Sequence, residues 1–434
     1  MDTGDRPTNK IVATSNNAIG IYATGSNIDF ATVVTAEKKA QASSTTAGGA
    51  TPTAGAEESQ NNLEGIIGIY SAGDRDSTFT GSVSVKANKS IGFYLNNPLQ
   101  AMGQKESNGT TSHIPTITIV GKDSIGLYTP ISYTVKNTNI EANSGAIGVY
   151  ANISTNTDKT LTLGEGSHIS VNDEKSLGVA VAEGVSLTLG EKKEDNTIKP
   201  AKMTINEGTG IFAKDVTTIN GLEVEFGDKG GLAIYGENTN LDLSNITVVK
   251  GKGQLIQGKN LGLTINQLPA TSVGKKETGF SLLYSGDDAN APTEGRKVSF
   301  GDVINLTLNG QSTGIALTRE STYTPQLTFE FNGTIHSNSK ETASTTGSTD
   351  TTPKAEPTEN NIGLYIDNVN TLTLNEKANI ALGPQGIGVY YTNGSNNFSL
   401  SNHGTIVLDH KGGVGFVFKK NQPPLECGVR HNHR

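Results

Sequence analysis

Two short clusters of charged residues have side chains that could do chemistry. Asp287-Asp288 and Asp74-Arg75-Asp76 bring carboxylates together, in the second case with a guanidinium group. Carboxylates beside a basic group are what acid–base cleavage of an acidic polysaccharide would need. Both clusters lie in segments rich in Gly, Asp and Ser, which are typical of turns and loops. We therefore interpret them as solvated turn acids and predict no catalytic site.

The C-terminal segment holds a second candidate, two histidines that could bind a metal ion. His431-Asn432-His433 lies within Pro423–Arg434, which breaks the pattern of the preceding chain and includes the one cysteine, Cys427. We interpret this segment as an appended or disordered tail. The chain has no phosphate loop, dinucleotide fingerprint or His-Glu-x-x-His sequence. The sequence thus predicts a protein that is not an enzyme and has no metal or cofactor.

A four-residue phrase recurs along the chain: an aliphatic residue, Gly, an apolar residue and Tyr, hereafter the repeated phrase. Seven close copies use seven of the 12 tyrosines, and looser copies such as Thr209-Gly210-Ile211-Phe212 fill the middle of the chain. Where no insertion intervenes, the glycines of successive copies are about 22–27 residues apart, a period typical of solenoids. The close copies are Ile19–Tyr22, Ile67–Tyr70, Ile91–Tyr94, Ile125–Tyr128, Ile147–Tyr150, Ile362–Tyr365 and Ile387–Tyr390.

Within each repeat the apolar residues alternate with polar ones, as in Thr371-Leu372-Thr373-Leu374. A period of two indicates half-buried strands, and segments rich in Asn, Asp and Gly separate them. No stretch shows the periodicity of an amphipathic helix. We predict an all-β fold, a right-handed parallel β-helix (solenoid) of about 14 coils, each made of three short strands, with inserted loops.

The prediction divides the chain into a flank, one solenoid and a tail. Residues 1–10 are the N-terminal flank, 11–420 a single β-helix solenoid and 421–434 the non-repeat tail. Long intervals between copies of the repeated phrase mark insertions, which would be loops on the solenoid. The first insertion, 37–62, and the last, 339–361, are so poor in apolar residues that we expect disorder in both. The insertions fall near 37–62, 98–113, 191–200, 285–297 and 339–361.

Strand geometry assigns the residues of the repeated phrase to two faces. Because side chains alternate, the first and third residues are predicted to face the core, and Gly and Tyr to share the outer face. The tyrosines would then stack as an aromatic ladder that includes Tyr70, Tyr94, Tyr128 and Tyr150. We interpret the ladder as structural, holding the coils in register. The alternative is a ligand-binding strip for sugars or peptides.

Composition and charge limit the partners. The formal net charge of −8 argues against nucleic acid, because phosphate binding needs a basic face. A hydrophobic fraction of 34% without Trp suits an elongated solenoid with a narrow core. No apolar run reaches the about 20 residues of a membrane helix, so we expect that this segment is not inserted in a membrane. The N-terminus lacks the apolar core of a signal peptide.

The three-strand coil, the surface rich in Ser, Thr, Asn and Gly, the single Cys and the lack of Trp resemble the passenger domains of Gram-negative (type V) autotransporters. The repeated phrase, joined to turns such as Lys122-Asp123-Ser124 and Ala87-Asn88-Lys89-Ser90, resembles more narrowly the very large fusobacterial outer-membrane adhesins. The likeness covers about residues 10–420. It implies a secreted parent chain on the extracellular side of the outer membrane, anchored there by a β-barrel. Since the signal peptide, helical linker and barrel strands of a complete member are missing, the resemblance also implies a segment of a longer protein.

The function implied by the resemblance is that of a bacterial surface adhesin segment, a β-helical stalk that presents loops for binding to host cells or other bacteria. Such a role would contribute to cell adhesion, coaggregation and virulence. The partners would be a host cell-surface glycan or protein, or partner bacteria. Two alternatives stay open: a polysaccharide-degrading β-helix enzyme (lyase or hydrolase), and a purely structural spacer. Turnover of polysaccharide would single out the enzyme, and cell binding localised to the insertions would single out the adhesin.

Overall fold

The described residues form 44 strands and no helix, and none of them belongs to a helix able to span a bilayer. They group into two compact units: unit 1 is Met1–Lys159 with Gly166–Ala180, and unit 2 is Thr160–Glu165 with Val181–Arg434. The computed structural model describes residues 10–24, 29–30, 32–36, 63–72, 78–97, 99, 101–102, 104–105, 111–154, 159–214, 217–243, 246–251, 253–286, 288, 290–338, 360–392, 398–408 and 412–419.

Most strands of unit 1 belong to two parallel sheets. Sheet 1 contains, in spatial order, Lys10–Ala13, Val33–Ala36, Ser82–Asn88, Thr116–Val120, Asn139–Asn143 and His168–Val171, with Leu63–Glu64 paired to Ser82–Asn88. Sheet 2 carries the repeated phrase on Ile19–Thr24, Ile67–Ala72, Ile91–Leu95, Ile125–Thr129, Ile147–Ala151 and Leu177–Val181. The other strands are Tyr133–Val135, the parallel trio Asp29–Phe30, Thr78–Phe79 and Ala101–Met102, and the antiparallel pair Gln104–Lys105 and Thr111–His113.

Unit 2 has three parallel sheets. Sheet 1 contains Ala201–Ile205, Leu222–Phe226 and Ile246–Lys250. Sheet 2 contains Thr209–Lys214, Leu232–Glu237, Gln254–Lys259, Thr278–Tyr284, Thr313–Arg319, Ile362–Asp367, Ile387–Thr392 and Val414–Lys419. Sheet 3 contains Thr160–Leu163, Ser186–Leu189, Thr217–Ile219, Asn240–Asp242, Gly262–Val273, Arg296–Leu308, Leu327–Phe331, Thr371–Leu374 and Ser399–Asn402, with the branch Thr334–Ser337, Asn379–Leu382 and Thr405–Leu408. Glu191–Lys192 and Ile198–Lys199 form an antiparallel pair.

Consecutive coils repeat the same three strands. In unit 2 the coil Thr217–Ile219, Leu222–Phe226, Leu232–Glu237 is followed by Asn240–Asp242, Ile246–Lys250, Gln254–Lys259, and each strand pairs in parallel with its counterpart. Among the described residues, sheet 2 has six strands in unit 1 and eight in unit 2. The predicted all-β parallel β-helix of about 14 three-strand coils is therefore confirmed.

Identical positions of successive coils stack in the core. In sheet 1 of unit 1, Val83, Ile117, Ile140 and Ile169 are aligned by the strand register and are at most 1% exposed. β-Branched side chains suit this pleated, tightly packed surface, and full burial of each contributes about 1.5–3 kcal/mol. The alternation read from the sequence thus corresponds to a column of buried residues within each sheet.

The repeated phrase departs from strict alternation, which corrects one prediction. In Ile67–Tyr70, Gly68 and the residue after it are both buried, whereas the first residue and the tyrosine are half-buried. A methyl group on Gly68 would lie 2.5 Å from the Gly92 carbonyl oxygen and 2.7 Å from Val83 Cγ1. The glycine therefore points into the core, and only Gly leaves room for this close approach. The predictions that the first residue faces the core and that Gly faces outward are wrong.

Candidate functional site

The candidate tyrosines of unit 1 lie in one row on the outer face of sheet 2. Strand register aligns Tyr22, Tyr70, Tyr94, Tyr128 and Tyr150. The centroids of successive rings are 4.9, 4.9, 4.9 and 6.1 Å apart, and the interplanar angles run from 9° to 43°. These values lie in the range of offset aromatic stacking. The four tyrosines named from the sequence are thus brought together, and ligand binding by this tyrosine ladder stays a prediction.

A row of aliphatic side chains runs beside the tyrosine ladder. It contains the first residue of each phrase, Ile19, Ile67, Ile91, Ile125 and Ile147, in register on the same strands. Sequence reasoning missed this row, because strict alternation would have turned it inward. Two positions beyond each tyrosine the residues are uncharged: Thr24, Ala72, Asn96, Pro130 and Asn152. Partly exposed apolar surface of this kind is typical of interaction sites.

The stacked neighbours alter the acid–base behaviour of Tyr94. Burial raises the pKa of its phenol, and the facing phenols of Tyr128 and Tyr70 raise that pKa further. The cause is that a phenolate here would lose hydration and repel negative charge on its neighbours. Because the folded-state pKa lies above the unfolded value of about 10, the unfolded chain loses this proton first. The contribution of Tyr94 to stability is therefore complete below about pH 10 and is lost as pH rises through the folded-state pKa.

The Tyr128→Phe substitution is expected to lower the pKa of Tyr94 toward its ordinary value, because one of the two phenols that raise it is removed. NMR titration of the Tyr94 Cζ resonance above about pH 9 measures the change. Tyr390→Phe is the control, since Tyr390 stacks on Tyr365 in unit 2. An unchanged Tyr94 pKa in Tyr128→Phe would show that the neighbouring phenol has no effect.

The corresponding row of unit 2 is interrupted. Phe212 and Tyr235 stack at 5.5 Å, and Tyr365 and Tyr390 stack at 5.5 Å. Between these two pairs the register places three small or polar residues at the tyrosine position. The outer face of sheet 2 therefore lacks aromatic rings at this position for three strands. These three residues are Gln257, Ser281 and Ala316.

Asp288 is not the solvated turn acid that the sequence suggested. The Asp288 side chain is 0% exposed, and that of Arg296 is 1% exposed. Arg296 Nε and Nη2 donate to the two carboxylate oxygens at 2.8 and 3.0 Å. Arg296 Nη1 donates to Asn240 Oδ1 at 2.8 Å, and the Tyr323 hydroxyl donates to Asp288 Oδ2 at 3.4 Å. The interpretation is wrong because an inward-facing arginine draws the carboxylate into the core, where no substrate reaches it.

The chain also contains a sequence that fits the pattern of a nucleophilic serine, and its serine has a structural role. Gly310-Gln311-Ser312-Thr313-Gly314 fits the Gly-x-Ser-x-Gly pattern of a nucleophilic serine, which requires a strand-to-helix turn with the hydroxyl exposed. Here Ser312 is 1% exposed and is followed by the strand Thr313–Arg319. Its hydroxyl donates to Asn361 Oδ1 at 3.3 Å, and its backbone NH donates to the same oxygen at 3.0 Å. Ser312 therefore joins two coils and is not a nucleophile.

Several sequence candidates lie outside the described residues. These are Asp74-Arg75-Asp76, Asp287, the insertions 37–62 and 339–359, and the tail 421–434 with His431 and His433. Within the described ranges, no three His, Cys, Asp or Glu side chains come together as ligands for a metal ion. The insertions with described structure are 191–200, 285–297 apart from residues 287 and 289, and parts of 98–113.

The insertion at 191–200 is a β-hairpin held by ion pairs of Lys193. Glu191 pairs with Lys199 and Lys192 with Ile198 in antiparallel register. Lys193 Nζ lies 3.0 Å from Glu165 Oε2 and 3.1 Å from Glu191 Oε1. The hydrogen bond to Lys193 lowers the pKa of the Glu165 carboxyl. Ile198 is 39% exposed, so the hairpin presents an apolar side chain to solvent.

Comparison of the chain with family models, with curated proteins and with solved structures gives no match. The likeness to autotransporter passenger domains, which depends on the repeated phrase and its turns, therefore stays a prediction. The parallel β-helix does not depend on such a match, because strand pairing shows it directly.

Proposed function

We propose that the chain is a segment of a bacterial surface adhesin, in which a β-helical stalk presents loops for binding to host cells or other bacteria. The proposal places it on the extracellular side of the outer membrane, as part of a longer autotransporter passenger. Its partners would be a host cell-surface glycan or protein, or the surface of a partner bacterium.

The observation that carries the proposal is a preformed insertion that leaves the coils in register. Before the hairpin, Leu187 pairs with Thr217, and after it, Ala201 pairs with Leu222. The coil therefore continues as if the hairpin were absent, which is how a scaffold accommodates recognition loops. Within the hairpin, Asp195 Oδ1 accepts from the backbone NH and the hydroxyl of Thr197 at 2.9 and 2.6 Å. A loop ordered before binding avoids much of the entropic cost of association.

The enzyme alternative finds less support among the described residues. Asp288 is sealed in a buried ion pair. Glu165 and Glu191 form a surface carboxylate pair beside Lys193, which resembles the arrangement a polysaccharide-cleaving site would need. However, the pKa of Glu165 is lowered by its hydrogen bond to Lys193, whereas a general base is effective when its pKa is raised toward neutral pH. This cluster therefore fits a role in fastening the hairpin.

Cell binding tests the adhesin proposal. The fluorescently labelled chain is applied to panels of epithelial cells and of bacteria, and each insertion is deleted in turn and replaced by a two-residue turn. We expect saturable binding that falls about tenfold or more in at least one deletion, a loss of about 1.4 kcal/mol. Glu223→Gln, which removes an exposed Lys202 partner on a strand of sheet 1, is the control and should bind normally.

Two outcomes would overturn the proposal. Binding that is absent, or unchanged in every deletion, would leave the spacer as the better description. New reducing ends or unsaturated products on incubation with polysaccharide panels would identify an enzyme instead.

A further inference from the structure

A cleft opens in unit 2 where the row of aromatic rings is interrupted. Its volume is about 400 Å³, and it is shallow and widely open to solvent. It is lined by Gly231, Gly253, Gln254, Gln257, Glu277, Thr278 and Ser281. We propose that this cleft binds one neutral pyranose ring of a glycan. The site lies in the wall of the β-helix, apart from the insertions proposed for adhesion, and goes beyond that proposal.

The cleft forms because the side chains at the tyrosine position become smaller over three successive coils. The residue at the tyrosine position changes from Tyr235 to Gln257 and then to Ser281 on successive strands. Each step removes the ring that fills this space elsewhere in the row. Smaller side chains on a continuous sheet thus leave a recess at Gln257 and Ser281, one strand beyond Tyr235.

The floor is formed by two glycines that cannot carry side chains. Gly231 has φ of +153°, and a methyl group there would lie 2.5 Å from Ile205 Cγ2. A methyl group on Gly253 would overlap the ring of Phe226. Packing against sheet 1 therefore requires glycine at both positions, and both residues line the cleft with backbone atoms. A ligand ring can approach the backbone closely at such a place.

The walls supply the polar groups that a sugar ring uses. The amides of Gln254 and Gln257 each offer donors and an acceptor, and Thr278 and Ser281 offer hydroxyls. Among the described residues, neither glutamine side chain has a hydrogen-bond partner, and Gln257 is exposed. These groups are therefore ready to exchange water for ligand hydroxyls. The volume of the recess is within the range of small-molecule sites, and its polar lining suits a ligand rich in hydroxyl groups.

Glu277 decides the charge of the ligand. Its Oε2 accepts a hydrogen bond from the Gly274 backbone NH at 3.1 Å, which fixes the carboxylate at the edge of the cleft. Among the described residues that line the cleft, none is Lys or Arg. A fixed carboxylate repels anionic ligands and accepts hydrogen bonds from hydroxyl groups. The cleft therefore favours a neutral pyranose over a uronic or sialic acid.

Saturation-transfer NMR on the full chain tests the site. The probes are methyl β-D-galactopyranoside, methyl β-D-glucopyranoside and N-acetylglucosamine, with N-acetylneuraminic acid as the anionic contrast. We expect at least one neutral probe to bind with Kd on the order of 1 mM, and the anionic probe to bind at least tenfold more weakly.

The informative variant restores the residue that the repeat prefers. Gln257→Tyr would place a ring beside Tyr235 and fill the cleft, so neutral-probe binding should fall at least about tenfold while the melting temperature is kept or raised. Val417→Tyr is the matched control, because Val417 lies in the same row next to Tyr390 and away from the cleft. Its binding should equal that of the unmodified chain.

Any of three results would overturn the site: no neutral probe binds, Gln257→Tyr binds as the unmodified chain does, or Val417→Tyr loses binding equally. Failure here is distinguishable from failure of the adhesin proposal, because probe binding is measured in solution and adhesion is measured on cells with the insertions deleted.

Discussion

Replacement of Asp288 by Asn is expected to lower the free energy of unfolding by about 3–5 kcal/mol, the cost of leaving one buried charge without its partner. Arg296 would keep its guanidinium in a site where its side chain is 1% exposed. The new amide would supply one acceptor oxygen in place of the two that Arg296 Nε and Nη2 now use. Urea unfolding of the full chain measures the loss, and hydrogen exchange over residues 260–330 locates it.

Two further variants distinguish a lost ion pair from a general packing defect. Joint replacement of Asp288 by Leu and Arg296 by Met removes both charges, and we expect it to recover much of the stability, because an apolar pair often replaces a buried ion pair at little cost. Tyr323→Phe removes only the 3.4 Å hydrogen bond to Asp288 and should cost about 1 kcal/mol or less. A loss below about 1 kcal/mol in Asp288→Asn would contradict the assignment of a buried, coupled pair.

This pair shows why sequence reasoning failed at the insertion. Asp288 follows Gly286 and stands in a segment with turn composition, which favours solvent exposure. Its actual environment depends on Asn240, 56 residues before Arg296 in the chain, and no local pattern reports that contact. One signal was present: Arg296, Val298 and Phe300 share one face of an alternating strand. An arginine on an otherwise apolar face of a strand needs a buried acceptor. The aspartate eight residues earlier in the sequence is such an acceptor.

The coil itself could be predicted because its signals are local and repeated. Thr371–Leu374 alternates between half-buried and buried residues, as its sequence indicates. The tyrosine ladder also followed from the sequence, because parallel strands in register stack equivalent positions. The aliphatic row did not, since the inward orientation of Gly68 involves close contact with Val83 and Val85 of sheet 1. Alternation within a strand was predictable, whereas the departure from alternation at the phrase glycine was not.

The interruption of the aromatic row illustrates the same limit. The sequence shows that Gln257 and Ser281 replace tyrosine in looser copies of the repeated phrase. Alone, such replacements look like loss of a structural ring. The strand register places Tyr235, Gln257 and Ser281 side by side on adjacent strands. Only this alignment shows that the two smaller residues form one recess. The glycine floor adds the second requirement, because it depends on contact with Phe226 and Ile205 of another sheet.

The phrase glycines allow a sharper test of packing. Gly388→Ala is expected to lower the free energy of unfolding by about 1–3 kcal/mol, because the added methyl overpacks a filled core. That methyl would lie 2.7 Å from the Gly415 carbonyl oxygen and 2.8 Å from Ile406 Cγ2. Neither atom moves easily: the carbonyl belongs to the next strand of sheet 2, and Ile406 is held in the strand Thr405–Leu408.

Gly415→Ala is the matched control for this substitution. Gly415 occupies the same position of the phrase one coil later, and a methyl group there meets no atom of the described residues within 4 Å. Neither glycine has positive φ, so backbone strain is equal and only the contacts differ. We expect Gly415→Ala to change the unfolding free energy by less than about 0.5 kcal/mol, measured by urea unfolding beside Gly388→Ala. Equal losses would mean that glycine is needed for its backbone conformation, and losses confined to Gly388→Ala would mean that it is needed for the space taken by the next coil.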